Sequence, residues 1–374
     1  MIPPIDLTTL SPPAQKIAGP TAPEKLQEMA AKGIAPGIRP AEMITILVLL
    51  SSSEREGVRT NAQKTLSAPP EQLLNAALAT DLHPMAIDAL ARGAFDKREV
   101  LDKLLAMPRI EMETVEEVAR SGNEAVTELV ATNEDRLLKH PRIIELLYLN
   151  KHTRMSTTDR LIDLAVRNGV VLTGIPAFKE AAIAIQDELI AEATEEPTPD
   201  DLLFIETEAI AAAMAGEIPE DDDGFEQDEV GNEKVKDKLE PLYKRISMMT
   251  MSQKVRRAVL GSKEERMILV RDQNKVVAGA AIRSPLMQES EVVLITKNRN
   301  IAEEVLRIIG MNPSWLKSYS IKRNLVENPK TPVTVASRLV SHLRESDLRG
   351  IAKSKSITGP IRDAARRHLE KRKG

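Results

Sequence analysis

The sequence predicts an all-α chain built as a solenoid of short helical repeats. Three observations carry that expectation. Apolar residues recur at i, i+3 and i+4 and do not alternate. The core is aliphatic: aromatics make up 2% of 374 residues, Trp occurs once, and 14 Met join Leu, Ile, Val and Ala, a filler suited to many small helix faces and unlike that of sheet-rich chains. One loop is written three times, as ITKNRNI (295–301), VENPKTP (326–332) and IAKSKSI (351–357), with a fainter copy VRDQNKV at 270–276.

Residues 1–23 are rich in Pro, Ser and Thr without sustained periodicity, which predicts a disordered tail. They lack the basic and apolar regions of a signal peptide. The longest apolar run, MITILVLL at 43–50, is core-sized against the roughly 18 residues of a spanning helix. The expectation is a cytoplasmic protein with no integral membrane segment.

Short amphipathic segments follow, from PAEMITILVLL to PRIIELLYLN. Their apolar ends at Leu66, Leu78, Leu90, Leu105, Val118 and Leu129 step by 11 to 15 residues, one short helix plus one turn. Pro recurs at segment starts (Pro40, Pro69, Pro70, Pro84, Pro141), where its missing N–H costs a helix nothing. The run AGEIPEDDDGFEQDEVGNE (215–233), with nine acids and no Lys or Arg, predicts a solvated flexible linker. It separates an acidic helical domain, 24–214, from a basic one, 234–374.

In the basic domain the loop copies start at Val270, Ile295, Val326 and Ile351, spaced by 25, 31 and 25 residues, room for two short helices per unit. AIRSPLM (281–287) and IGMNPSW (309–315) fall between them as turns inside each unit. A two-helix unit that cannot bury its own apolar face must stack on its neighbours. The pattern resembles HEAT or armadillo repeats. With its NPKTP joint at 328–332 it also resembles the leucine-rich-repeat variant. Such a resemblance implies a scaffold that binds along an extended surface, and it carries no catalytic residues with it.

The net charge of −4 conceals a split. From Lys234 onward there are 31 Lys and Arg against 14 Asp and Glu, a net +17; the totals of 52 and 56 leave 21 against 42, or −21, for residues 1–233. That asymmetry points to an anionic partner for the basic half, or to contact between the halves.

Motifs for chemistry are sparse. There is no cysteine, which excludes disulfides, thiolate metal sites and Cys nucleophiles. GxxxxGK[ST] and GxSxG are absent. The look-alike VLGSKEER (259–266) reads as a helix stop at Gly261, an N-cap at Ser262 and a capping-box Glu265. The five His are never paired at i, i+4, so no metal or cofactor is expected.

The constellation with geometric content is a row of cations. If the loop copies occupy equivalent turns, Arg271, Lys275, Lys297, Arg299, Lys330, Lys353 and Lys355 share one edge, about 10 Å apart per step from helix diameter. Lys and Arg near helix C-termini also complement the macrodipole, but that does not require acids to be depleted as they are here. The leading expectation is a non-enzymatic adaptor binding an anionic protein partner. The alternative is sequence-nonspecific nucleic-acid binding through phosphates, with only Trp315 and Tyr319 as stacking surfaces. A third reading, a HEAT-like DNA-repair enzyme, would rest on Glu327 or Asp347 near Trp315.

Overall fold

In a computed structural model that describes residues 2–19, 21–186, 188, 190, 192–228 and 233–372, the chain is helical, with a single two-stranded hairpin among the described residues. No helix among them is long and apolar enough to cross a membrane. The chain divides into two compact units, Met1–Thr157 and Thr158–Gly374. This division by packing falls well before the switch in charge near residue 233. Lys373 of the basic tail and linker positions 229–232 lie outside the described residues.

The first unit holds α1 (Pro12–Ala18), α2 (Glu24–Ala31), α3 (Pro40–Leu50), α4 (Glu56–Ser67), α5 (Glu71–Leu78), α6 (Pro84–Arg92), α7 (Arg98–Leu105), α8 (Met112–Ser121), α9 (Glu124–Ala131), α10 (Glu134–Lys139) and α11 (Pro141–Leu149). Pro40, Pro84 and Pro141 each occupy the first helical position, where the chain would leave an N–H unbonded in any case. MITILVLL forms most of α3, which is buried on nearly every side because α1, α2, α4, α5 and α6 all pack on it. The expected tail is folded in part. Leu10, Ala14 and Ile17 are buried, and Glu42 of α3 accepts from the Ser11 amide (2.8 Å) and hydroxyl (3.0 Å). Composition pointed to disorder because these few apolar residues are spread among prolines. The Arg39 guanidinium beside Glu42, helped by the Ser11 bonds, holds its carboxyl down at about 2.

The second unit begins within α12 (Met155–Arg167) and continues with α13 (Phe178–Ala184), α14 (Pro199–Ala213), the strands β1 (Phe225–Gln227) and β2 (Glu233–Val235), and α15 (Glu240–Met248). Short helices follow: α16 (Met251–Leu260), α17 (Lys263–Leu269), α18 (Lys275–Ile282), α19 (Glu289–Lys297), α20 (Glu303–Met311), α21 (Tyr319–Glu327), α22 (Val333–Val340), α23 (Glu345–Lys353) and α24 (Gly359–Lys371). One row stacks α16 on α18, α18 on α20, α20 on α22 and α22 on α24; a second stacks α17 on α19 and α19 on α21. Gly310 sits where α20 meets α22 so closely that a Cβ would lie 2.2 Å from a Val335 methyl. Ser262 and Glu265 form the capping box read from the sequence.

A repeated hydrogen bond ties each repeat to the one before it. Asn328, at the C-cap of α21, donates its amide to Thr296 O (2.9 Å) and Asn298 O (2.8 Å) at the end of α19. Asn150, after α11, does the same to Ala119 O and Gly122 O after α8, both at 2.9 Å. Ser284 reaches Val259 O, Arg338 reaches Gly310 O, Arg372 reaches Ser341 O and Leu343 O, Thr65 reaches Ala31 O, and Arg136 reaches Leu105 O. Partners are 25 to 34 residues apart, the period of the repeat.

Buried charges join α12, α14, α16, α17 and α19. Arg257 grips Glu265 through two bonds (2.6 and 2.7 Å), and Arg266 grips Glu291 (3.1 and 2.8 Å); all four are buried. Arg256, fully buried, bonds Thr158, and it and Arg257 flank the Phe204 ring at 4.9 and 5.0 Å. These contacts explain why residues 158–214 pack with the basic repeats despite their acidic composition. At the N-terminus of α16, the Ser252 hydroxyl donates to Asp159 and its amide to Glu188 (3.0 Å). Burial pushes the Asp159 carboxyl up to about 7; the Ser252 bond and Arg256 pull it back, while Glu188 and Asp201 push it further.

The reach-back bond and the buried acid are both open to test. Asn328→Ala strands one buried and one partly buried carbonyl, so it should lower stability in urea unfolding by about 1 to 3 kcal/mol; an unchanged midpoint would refute the tie. Asp159 keeps its proton in the folded state up to about 7, against an ordinary 3.8 unfolded. Its penalty is therefore absent below the unfolded value and complete above about 7, and in between it grows by about 1.4 kcal/mol for each pH step of one. Asp159→Asn should raise the melting temperature at pH 8 and leave it nearly unchanged at pH 4. An equal gain at both would sink the assignment.

Candidate functional site

The turns after α19, α21 and α23 are built alike. Each helix ends at a small polar C-cap, Asn298, Asn328 or Ser354. The Asn298 side chain accepts from the Asn300 N–H (2.7 Å) and Asn328 from the Lys330 N–H (3.0 Å), while Ser354 shares a hydroxyl bond with Ser356. Such local side-chain turns stop the helix and fix the direction of the next residues. In VRDQNKV the same role falls to Asp272, third in its copy as Asn328 is in VENPKTP, which accepts from the Asn274 N–H.

α21 packs alongside α19. The Asn324 amide of α21 donates to Val293 O (3.2 Å) and the Thr296 hydroxyl (3.3 Å) of α19. Tyr319 at the start of α21 bonds Asp347 in the first turn of α23, and Arg323 lies 3.7 Å from the same carboxylate. Lys297 and Arg299 flank Asn298, Lys330 follows Asn328, and Lys353 and Lys355 flank Ser354. All five are exposed, and among the described residues none forms an ion pair. Asn328 joins the first two turns directly. In the second, the buried Thr331 hydroxyl has no hydrogen-bond partner among the described residues.

Arg271 departs from the expectation. Its side chain is only 8% exposed. It donates to Asp223 (2.6 Å), Glu233 (3.2 Å) and Met267 O (2.7 Å), with Phe225 stacked 4.0 Å from its guanidinium carbon. Lys275 is exposed, but it opens α18 and so stands after the turn, not at its start. The partners of Arg271 come from the segment expected to be a solvated linker. There β1 and β2 pair antiparallel, Phe225 opposite Val235, over a small apolar cluster of Ile218, Val235 and Leu239 with Met214 and Phe225. Lys236 pairs with Asp222 and Lys263 with Pro219 O. Single apolar residues set among nine acids gave no periodic signal, so composition hid the fold.

Between this acidic strap and the first exposed turn lies a cleft of about 610 Å³. Asp221, Asp222 and Glu226 line one side, and Lys297, Asn298 and Arg299 the other.

Most remaining cations of this unit have structural partners. Arg323 pairs with Glu327, Arg349 with Glu345 and Arg366 with Asp363, and Arg338 and Arg372 cap helix-end carbonyls. Glu327 and Asp347 are held by Arg323 and Tyr319, and Arg344 stacks 4.6 Å over the Tyr319 ring. The sequence did not show that the Asn328 amide, third in VENPKTP, reaches the previous repeat. The chain matches no protein-family model and no curated protein.

Proposed function

We propose that this protein is a non-enzymatic scaffold, a helical solenoid of the HEAT or armadillo kind, that takes an anionic segment of a protein partner along Lys297, Arg299, Lys330, Lys353 and Lys355. One observation carries the reading: these five are exposed with no carboxylate partner among the described residues, in a unit where most other cations are tied down. Like charges held along one edge repel, and an anionic ligand relieves that repulsion. Rigid repeats lower the ordering cost of such binding.

A protein ligand is favoured over nucleic acid because stacking surfaces are scarce. Tyr319 is engaged by Asp347 and Arg344, and Trp315 stands alone in a short 3₁₀ turn. Phosphate binding by the same edge is the second reading, and the +17 of residues 234–374 favours it. A repair enzyme is the weakest, because Glu327 and Asp347 already serve ion pairs.

The test uses the full chain, with fluorescence anisotropy of a labelled ten-residue oligoglutamate and of a random single-stranded DNA 20-mer. Reversing Lys297, Arg299, Lys353 and Lys355 to Glu should weaken peptide binding at least about tenfold, taking up to about 1 kcal/mol per exposed pair. Binding of both probes untouched by the reversal would overturn the edge. Binding of DNA alone, lost steeply with salt, would replace the protein ligand by nucleic acid.

A further inference from the structure

We propose that the acidic strap is a built-in competitor: Asp223 and Glu233 fill the seam between the turns at Arg271 and Asn298, and an acidic partner gains the near end of the edge by displacing them. This deepens the edge reading and rests on it.

Two successive seams are held differently. At the second, the Asn328 amide donates to the backbone of the turn before it, at Thr296 O and Asn298 O. At the first, the corresponding Asn298 amide is diverted to Glu233 (2.5 Å) and Asp223 (3.4 Å). The same two carboxylates take the Arg271 guanidinium. The strap thus supplies acceptors where the second seam supplies its own, and with the strap open the Asn298 amide would turn to the backbone of the turn after α17, as Asn328 does to the turn after α19. A group with two satisfying partner sets is what a two-state contact requires.

The balance between the states is shallow. The strap's apolar anchor consists of three buried residues and two partly buried ones, and its other ties include the ion pairs of Asp222 with Lys236 and Glu217 with Lys238 and the bond of Lys263 to Pro219 O. Contacts of that kind weaken as salt rises. The cleft provides the way in. Lys297 and Arg299 face the strap across it without carboxylate partners of their own. An incoming acidic segment can settle on them first and then exchange its carboxylates for those on Arg271 and Asn298. Affinity measured with the strap in place is reduced by the fraction of molecules in which it is open.

The experiment compares oligoglutamate binding at low salt to the full-length protein and to D223N/E233Q. E220Q/E289Q serves as a control that removes two exposed charges outside both the seam and the cleft lining. The expected result is about tenfold tighter binding by D223N/E233Q and less than about twofold change in the control, the factor expected if the strap is open in about a tenth of molecules. In the unaltered protein, saturating peptide should speed amide exchange in 222–228 and 233–236, a readout that needs no variant to fold. Equal tightening in both variants, or unchanged affinity and exchange while K297E/R299E still abolishes binding, overturns the strap and leaves the edge standing. No binding by any of these proteins overturns both.

Discussion

The length of the helices is the constraint on which the rest of this structure depends. The repeat helices from α16 to α23 run seven to ten residues. A helix leaves its last four carbonyls without partners inside it, so about half of each short helix ends in unsatisfied acceptors. Helices this short are also marginal alone. Packing rows and reach-back bonds meet both needs at once. Asn150, Ser284, Asn328, Arg338 and Arg372 each carry donors to the end of the preceding repeat. Each repeat is therefore finished by the next one, and the array is cooperative along its length.

Buried ion pairs add direction to that stacking. Arg257 with Glu265 and Arg266 with Glu291 are two-bonded pairs, and Gly261 O accepts the remaining Arg266 nitrogen. Replacing such pairs with apolar residues is often neutral or stabilising, whereas removing one partner costs several kcal/mol. Their contribution lies in register: a guanidinium fork accepts a carboxylate from one side, which fixes α16 against α17 and α17 against α19.

The sequence made much of this readable, and the reasons are local. Helix starts at Pro40, Pro84, Pro141 and Ser262 follow from backbone chemistry within four residues, and the turns from a repeated pattern. What stayed hidden depends on distant partners. Nothing near Arg271 announces Asp223 or Glu233, 48 and 38 residues away. The N-terminal segment is folded by Glu42, 31 residues on. The acidic composition of 158–214 concealed Phe204, Glu208 and Thr158, which the arginines of α16 recruit. The cations at Lys297, Arg299, Lys330, Lys353 and Lys355 were legible because their loop repeats; the burial of Arg271 was not, because the strap comes from outside it.

The two seams also connect fold to function. At the second seam the helix-end carbonyls of α19 are taken by the Asn328 amide. At the seam of Arg271 and Asn298 the backbone acceptors are replaced by carboxylates. There alone among the turns described, the turn amide, that of Asn298, and a buried arginine, Arg271, share carboxylate ligands. Any anion that engages this seam therefore acts on the stacking of the repeats as well as on charge. On the proposed reading, binding at the near end and the geometry of the first repeats would be thermodynamically linked, so that whatever strengthens one contact at the expense of the other shifts both.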